Sequence, residues 1–306
     1  LEIEITESPE LKVEDRSLLD LHSLLNVLNV LRGELALIGL TLTGNAELLP
    51  GGLAICDRMT AALKDPAQAL ALIAGVSGYE ADVFGEIGTQ LRQFPGRETD
   101  PELQESMTNL RGVFEVLHRR AREIVARSAA PGRWLDMPID ELRADFRDVF
   151  AAIEKNSRGR YRIIYNLALQ QANDYYIDFV VESAGGRCVS MPLVFKDVMR
   201  DLIANARKYT RPGGTINVGL YETEAELRFV VQDTGLGIPP DEMAAVVQFG
   251  RRGSNVSHLR TMGGGFGLTK AVLVTRNLGG RFWIKSELGV GTRMTMVIPR
   301  PPETPA

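Results

Sequence analysis

Cysteine is nearly missing from this chain. Cys56 and Cys188 are its two examples, far apart and without ligand spacing around them. That excludes a disulfide framework and a thiolate metal site, and the pair reads as reduced core thiols of a cytoplasmic protein. A basic excess is missing too: 35 Lys and Arg against 39 Asp and Glu leave a net charge of -4, which argues against nucleic acid as a partner. The longest apolar runs, around Ala69 to Val76 and Leu35 to Leu42, fall short of the roughly 20 residues a bilayer needs, so no membrane segment is expected. The chain opens at Leu1 rather than methionine. It reads as a piece of something longer, with an upstream sensor region expected to be missing. Histidine is scarce as well: His22, His118 and His258 complete the set, which narrows the choice for any imidazole chemistry.

What is present is ordinary globular composition, 44% hydrophobic and 24% charged over 306 residues, enough for two domains. After a short polar opening to Glu14, Leu21, Leu28, Leu35 and Leu42 repeat every seven residues, with Leu24, Leu31 and Ile38 filling the alternate spacing. This is the seam of a coiled coil or long bundle helix, and it predicts a dimer through the leucine-rich first helix. His22 flanks that seam, four residues before Asn26. The pair is either part of a solvated face or a nucleophilic imidazole with an amide beside it, since a neutral imidazole attacks phosphorus without a strong base. His118, in the basic Leu117-His-Arg-Arg120, reads as exposed. Further helices are expected over 53–63, 67–94, 101–127 and 139–155, with start signals at Asp65-Pro66 and Asp100-Pro101. Residues 1–157 thus read as an antiparallel helical bundle.

From Tyr161 the period changes to that of strands, over 161–165, 175–181 and 188–191. A helix from about Leu193 to Tyr209 follows, with Asp201, Asn205 and Lys208 on one face. A carboxylate, an amide oxygen and an ammonium aligned in this way form either an ordinary polar face or a seat for hydrated Mg²⁺ and phosphate. Strands over 215–221 and 227–232 come next, ending in Asp233-Thr-Gly-Leu-Gly-Ile-Pro239. Phe249-Gly-Arg-Arg-Gly-Ser254 is expected one helix later. Gly263-Gly-Gly-Phe-Gly267 then runs into a helix opening at Leu268, and a last strand pair brackets Leu288-Gly-Val-Gly-Thr292. Residues 158–306 read as an α+β sandwich with helices on one face of a sheet.

The order of these five motifs resembles the ATP-binding domain of the GHKL superfamily, most closely that of sensor histidine kinases. The resemblance implies a GHKL, Bergerat-type sandwich carrying ATP and Mg²⁺. It implies that Asn205 ligates Mg²⁺, that Asp233 accepts the adenine amine, and that Gly235 and Gly237 shape the adenine pocket. Gly263, Gly265, Gly267 and Leu268 would border the phosphates beneath a lid from about Arg251 and Arg252 to Met262. Lys208 and Tyr209 would flank the nucleotide, and the Thr292 hydroxyl would support Asp233 through water or the adenine edge.

Three departures stand out. Asp201 occupies a position where histidine kinases usually carry asparagine, leaving it as Mg²⁺ ligand or general base. Ser23 stands where an acidic residue commonly follows the acceptor histidine. About 140 residues of helix separate His22 from the first strand, twice what a two-helix hairpin needs. The resemblance implies a histidine kinase core that autophosphorylates His22, passes the group to a response-regulator receiver domain, and uses Asn26 to orient water for a phosphatase reaction. The acidic Asp201 and the large bundle also suit a serine/threonine kinase resembling the mitochondrial dehydrogenase kinases, and a nucleotide-binding scaffold without transfer activity is a third reading.

Overall fold

A computed structural model describes residues 1–129, 132–157, 159–258 and 265–301. In chain order the elements are β1 (Glu2–Glu4), α1 (Val13–Thr43), α2 (Pro50–Ala62), α3 (Pro66–Ile73), α4 (Val76–Leu91), α5 (Pro101–Ala129), β2 (Trp134–Pro138), α6 (Ile139–Asn156), β3 (Ile163–Ile164), β4 (Tyr175–Ser183), β5 (Cys188–Pro192), α7 (Leu193–Tyr209), β6 (Thr215–Glu222), β7 (Glu226–Asp233), α8 (Gly267–Asn277), β8 (Arg281–Glu287) and β9 (Gly291–Pro299). They divide into a helical unit, Leu11–Ala130, and a mixed unit made of Leu1–Glu10 and Pro131–Ala306.

In the helical unit α1 runs unbroken because its heptad leucines all find cover. Leu24, Leu31, Leu35 and Ile38 are fully buried, in one cluster with Cys56 and Met59 of α2, Val83 of α4 and Leu110, Phe114 and Leu117 of α5. Gly44, at φ 75°, ends the helix by donating its N–H to the Leu40 carbonyl. Asp65 caps α3 by accepting from Ala67 and Gln68 N–H, and Asp100 accepts from Glu102 N–H at the start of α5. The helix expected over 67–94 is broken at Ala74-Gly75 into α3 and α4. Burial pushes the Cys56 thiol up to about 11, which makes it an inert core group. His118 is half-buried against Glu80, its Nε2 2.7 Å from the carboxylate.

Two expectations for α1 change. The seam leucines were expected to pair two chains, but they are used within one chain. The large apolar residues exposed among the described residues of α1 are instead Val30, Leu37 and Leu40. The expectation of no membrane-length segment also fails on length and composition: Glu14–Thr43 is long and apolar enough to cross a bilayer, because the helix joins apolar stretches that look short when read separately. Its leucine side nonetheless packs in the bundle core.

The mixed unit holds a seven-stranded sheet ordered β1-β8-β9-β7-β6-β4-β3. Alternation sends one face of each strand into a single core: Ile216, Val218 and Leu220 from β6; Leu227, Phe229 and Val231 from β7; Phe282 and Ile284 from β8; Met294, Met296 and Ile298 from β9. Phe195, Val198, Met199 and Leu202 of α7, with Ala271, Val272 and Val274 of α8, complete it. The opening residues, expected as a polar lead-in, instead form edge strand β1 on β8, with Ile5 buried and Glu4 held by a bidentate Arg281.

The boundary expected at 157/158 moves to about residue 130. Helix α6 was expected in the bundle, but its stripe Ile139, Leu142, Phe146 and Phe150 packs into the sheet core, with Phe146 edge-on to Phe179 of β4 at 5.0 Å. A helical stripe announces a buried face without saying what it faces. Strand β2 was not foreseen; it pairs antiparallel with β5 in a separate two-stranded sheet. The helix expected between Pro239 and Phe249 shrinks to one 3-10 turn, Pro240–Glu242.

Candidate nucleotide-binding site

The site grows out of the strand rows just described. Leu227, Phe229 and Val231 alternate onto the helix-covered face of β7, and the next residue in that row is Asp233, whose carboxylate is therefore 8% exposed. The same step carries β9 from Met294 to Thr292 and β8 from Ile284 to Ser286. Cross-strand register places Ser286 opposite Thr292 and Thr292 opposite Asp233, so three polar side chains end three apolar rows side by side.

They are linked. Asp233 Oδ1 accepts the N–H of Gly235 at 2.8 Å and of Thr292 at 3.3 Å. The Thr292 hydroxyl lies 2.9 Å from Ser286 Oγ, while its backbone N–H is the group that reaches Asp233 directly. Ser286 also accepts from Ile238 N–H at 2.9 Å and so fixes the loop after β7. Sequence reading missed Ser286, although the alternation of Phe282, Ile284 and Ser286 carried the signal. Burial raises the Asp233 carboxyl to about 6, against the lowering effect of its two backbone donors. Since both donors fall on Oδ1, the second oxygen is the one placed to accept from an exocyclic amine.

The glycine loop is shaped by close contacts. Leu236 N–H donates to the Tyr209 carbonyl at the end of α7. Gly237, at φ 68°, lies where a Cβ would come 2.1 Å from the Glu287 carbonyl oxygen, so conformation and space both demand glycine. Gly237→Ala is expected to destabilise the protein by about 2 kcal/mol or more, read as a lowered midpoint in thermal unfolding.

From Tyr209 the polar residues Asn205 and Asp201 follow one and two turns back along α7. Asp201 and Asn205 are half-buried, and the start of α8 rests on them: a Cβ on Gly267 would fall 3.0 Å from Asn205 Nδ2 and 3.3 Å from Asp201 Cβ. The first amides of α8 thus open beside an amide and a carboxylate, a donor set suited to phosphate and to Mg²⁺ with few protein ligands. Leu268 is half-buried in the first turn. Lys208 Nζ sits 5.0 Å over the Tyr209 ring. Desolvation first, then the charge of Arg252, brings the Lys208 ammonium down to about 8, so it remains charged at neutral pH. Arg251 is exposed and Arg252 half-buried. Phe249 and Phe266 stack at 4.6 Å, and a Cβ on Gly265 would lie 3.1 Å from Gly250 carbon; these contacts draw together the two sides of the expected lid. Its described part is anchored by Asn255 Nδ2 donating to the Gly237 carbonyl at 2.9 Å and by Ser254 N–H donating to Glu242 at 2.8 Å. Gly263 and Met262 lie outside the described residues.

His22 and Asn26 belong to α1. His22 is 8% exposed, and its Nδ1 lies 3.1 Å from the Leu19 carbonyl. That partner is an acceptor, so a proton on Nδ1 suits this contact. Asn26 is exposed.

Residues 192–302 match the family described as Histidine kinase-, DNA gyrase B-, and HSP90-like ATPase. The chain is 30% identical over 213 residues to the sensor protein SrrB of Staphylococcus aureus (strain NCTC 8325 / PS 47), covering 67% of this chain and 33% of SrrB. It therefore spans about a third of the length of the curated relatives it matches. Among solved structures, the catalytic domain of histidine kinase ThkA is 21% identical, with 56% of this chain and 99% of that one covered at a TM-score of 0.38. A mycobacterial sensor histidine kinase, MprB, is 22% identical, with 55% and 97% covered at 0.38. Residues 192–302, which carry the polar row of Asp233, Thr292 and Ser286 together with Asn205 of α7, are thus an ATPase domain of the histidine kinase-, DNA gyrase B- and HSP90-like family.

Proposed function

We propose that this chain is an ATP-dependent protein histidine kinase core that transfers the γ-phosphoryl group of ATP to His22 and then to a response-regulator aspartate. The observation that carries the reading is that α7 meets both the glycine loop after the buried Asp233, through Tyr209, and the start of α8, through Asn205, within the family-matched residues. Asp233 reads the amine, Lys208 and Tyr209 flank the nucleotide, and the first amides of α8, beside Gly265 and Gly267, hold phosphate oxygens. Arg251 and Arg252 lie on the lid side and offset triphosphate charge. Asn205, with Asp201 next to it, would hold Mg²⁺, which when bound neutralises charge on the phosphate oxygens.

The chain's own part in the chemistry is positioning. The Leu19 carbonyl suits a proton on Nδ1 of His22 and orients the ring. The Nε2 lone pair forms the N–P bond as the P–O bond to the leaving ADP breaks. At 8% exposure, His22 must be uncovered for the transfer, so the phosphoryl step is gated by a conformational change. Asn26, one turn on and exposed, would orient water for hydrolysis of the phosphorylated regulator, the phosphatase reaction. ATP supply puts this unit on the cytoplasmic side. Wild-type protein incubated with ATP and Mg²⁺ should acquire acid-labile, base-stable phosphate.

Dimerisation, in this reading, uses the exposed α1 stripe of Val30, Leu37 and Leu40 rather than the buried seam. Leu37→Asp together with Leu40→Asp is expected to weaken self-association by about tenfold or more, measured by sedimentation, with the helical content unchanged.

A serine/threonine kinase is the second reading, favoured by the bundle of α1 to α5 within one chain and by the acidic Asp201. It requires acid-stable label on a separate protein substrate.

A further inference from the structure

Lys270 is fully buried in the first turn of α8, flanked by the buried Thr269, Ala271 and Val272. An aliphatic side chain would fill such a core position, and an ammonium there is costly unless it is paired. Two carboxylates of α7 pair it. Its Nζ lies 3.3 Å from Asp197 Oδ2 and 3.8 Å from Asp201 Oδ2, and the two acids, four residues apart, share one helix face. Asp197 is itself buried, and its Oδ1 lies 3.3 Å from Arg200 Nη1. Lys270 of α8 thus meets both Asp197 and Asp201 of α7, the latter one turn from Asn205. On the other side of the same contact, Gly267 lets the α8 backbone close onto Asp201 and Asn205.

We propose that Lys270 is a positioning residue of the nucleotide site: it compensates the Asp201 carboxylate and pins the start of α8 against α7, so that Asp201 acts as an ion-paired anchor. This rests on the ATP reading given above. Lys270 also cancels the negative charge that Asp201 would otherwise present to a triphosphate before Mg²⁺ arrives. Without Lys270 that cancellation falls to the metal, so the loss should be largest when the metal is absent.

The test is the affinity of the full chain for a non-hydrolysable ATP analogue, with excess Mg²⁺ and with chelator, alongside hydrogen exchange at residues 266–268 in the ligand-free protein. Lys270→Met is expected to lower metal-free affinity by about tenfold and Mg²⁺-loaded affinity by about threefold, the scale on which adjacent charges couple. Lys270→Arg should recover most of both. In an Asp201→Asn background, Lys270→Met should change neither affinity by more than about twofold; this pair removes the Asp201 charge together with that of Lys270 and serves where the single variant does not fold. Equal losses with and without metal, or a further large loss in the Asp201→Asn background, would overturn the role of Lys270. Failure of the wild type to bind the analogue would sink the nucleotide reading instead. Faster exchange at 266–268 in Lys270→Met would then still register the pin between α8 and α7, and unchanged exchange would remove it.

Discussion

His22→Gln is expected to abolish phosphate incorporation from ATP, by on the order of 10³-fold or more, while nucleotide affinity stays within about twofold of wild type. The size of the effect follows from what the substitution keeps and what it removes. Glutamine can still donate to the Leu19 carbonyl that Nδ1 faces, and it fits a helix as well as histidine does, so α1 should be undisturbed. Its amide nitrogen, however, has no lone pair available for attack on phosphorus, whereas the Nδ1–H tautomer of imidazole carries one at Nε2. Acid-labile label counted on wild type and variant decides the matter. Undiminished labelling of the variant would place the acceptor elsewhere.

Asp233→Asn should separate binding from stability. Nucleotide affinity is expected to fall about 100-fold, because an amide that keeps its carbonyl toward the Gly235 and Thr292 donors must turn its NH₂ toward the adenine amine, donor against donor. Stability should move the other way at neutral pH. The folded carboxyl titrates at about 6 against 3.8 when free. The folded state therefore holds the proton more tightly, and its advantage is complete below 3.8 and lost as pH rises through 6. Above pH 6 the desolvated carboxylate opposes folding by on the order of 3 kcal/mol, which a neutral amide removes in part. The variant should melt higher than wild type at pH 7.5 while binding nucleotide poorly, as calorimetry and fluorescence titration can measure together. For the wild type, affinity for adenosine, which has no titrating phosphate, should weaken as pH falls below about 6, and this dependence should vanish in the variant. A lower melting point at pH 7.5 for Asp233→Asn would show that the buried carboxylate is structural.

The sequence made legible those features whose physics is local. The α1 heptad, the Asp65 and Asp100 caps, the strand alternation and the glycine loop each follow from neighbours in the chain. Asp233 was found as a strand-end acid, and its burial follows from the same alternation that buries Phe229 and Val231. What could not be read was pairing at a distance. The α6 stripe announced an apolar face, but only the fold shows it turned to the sheet core. The three residues of β1 are too few to declare a strand without β8 beside them. The seam leucines looked like a dimer interface because a heptad does not say whether its partner is another chain or the same one. Lys270 escaped notice because its meaning lies in Asp197 and Asp201, more than 60 residues earlier.

The central claim, that ATP bound between Asp233 and Asn205 phosphorylates an imidazole of the same protein, is tested most directly by peptide mapping of the chain after incubation with Mg²⁺·ATP under conditions that preserve phosphoramidates. The account predicts a single acid-labile phosphate on the peptide carrying His22, absent when Asp233 is replaced by Asn. Acid-stable phosphate on serine or threonine, or an unmodified chain that nevertheless binds ATP, would contradict it.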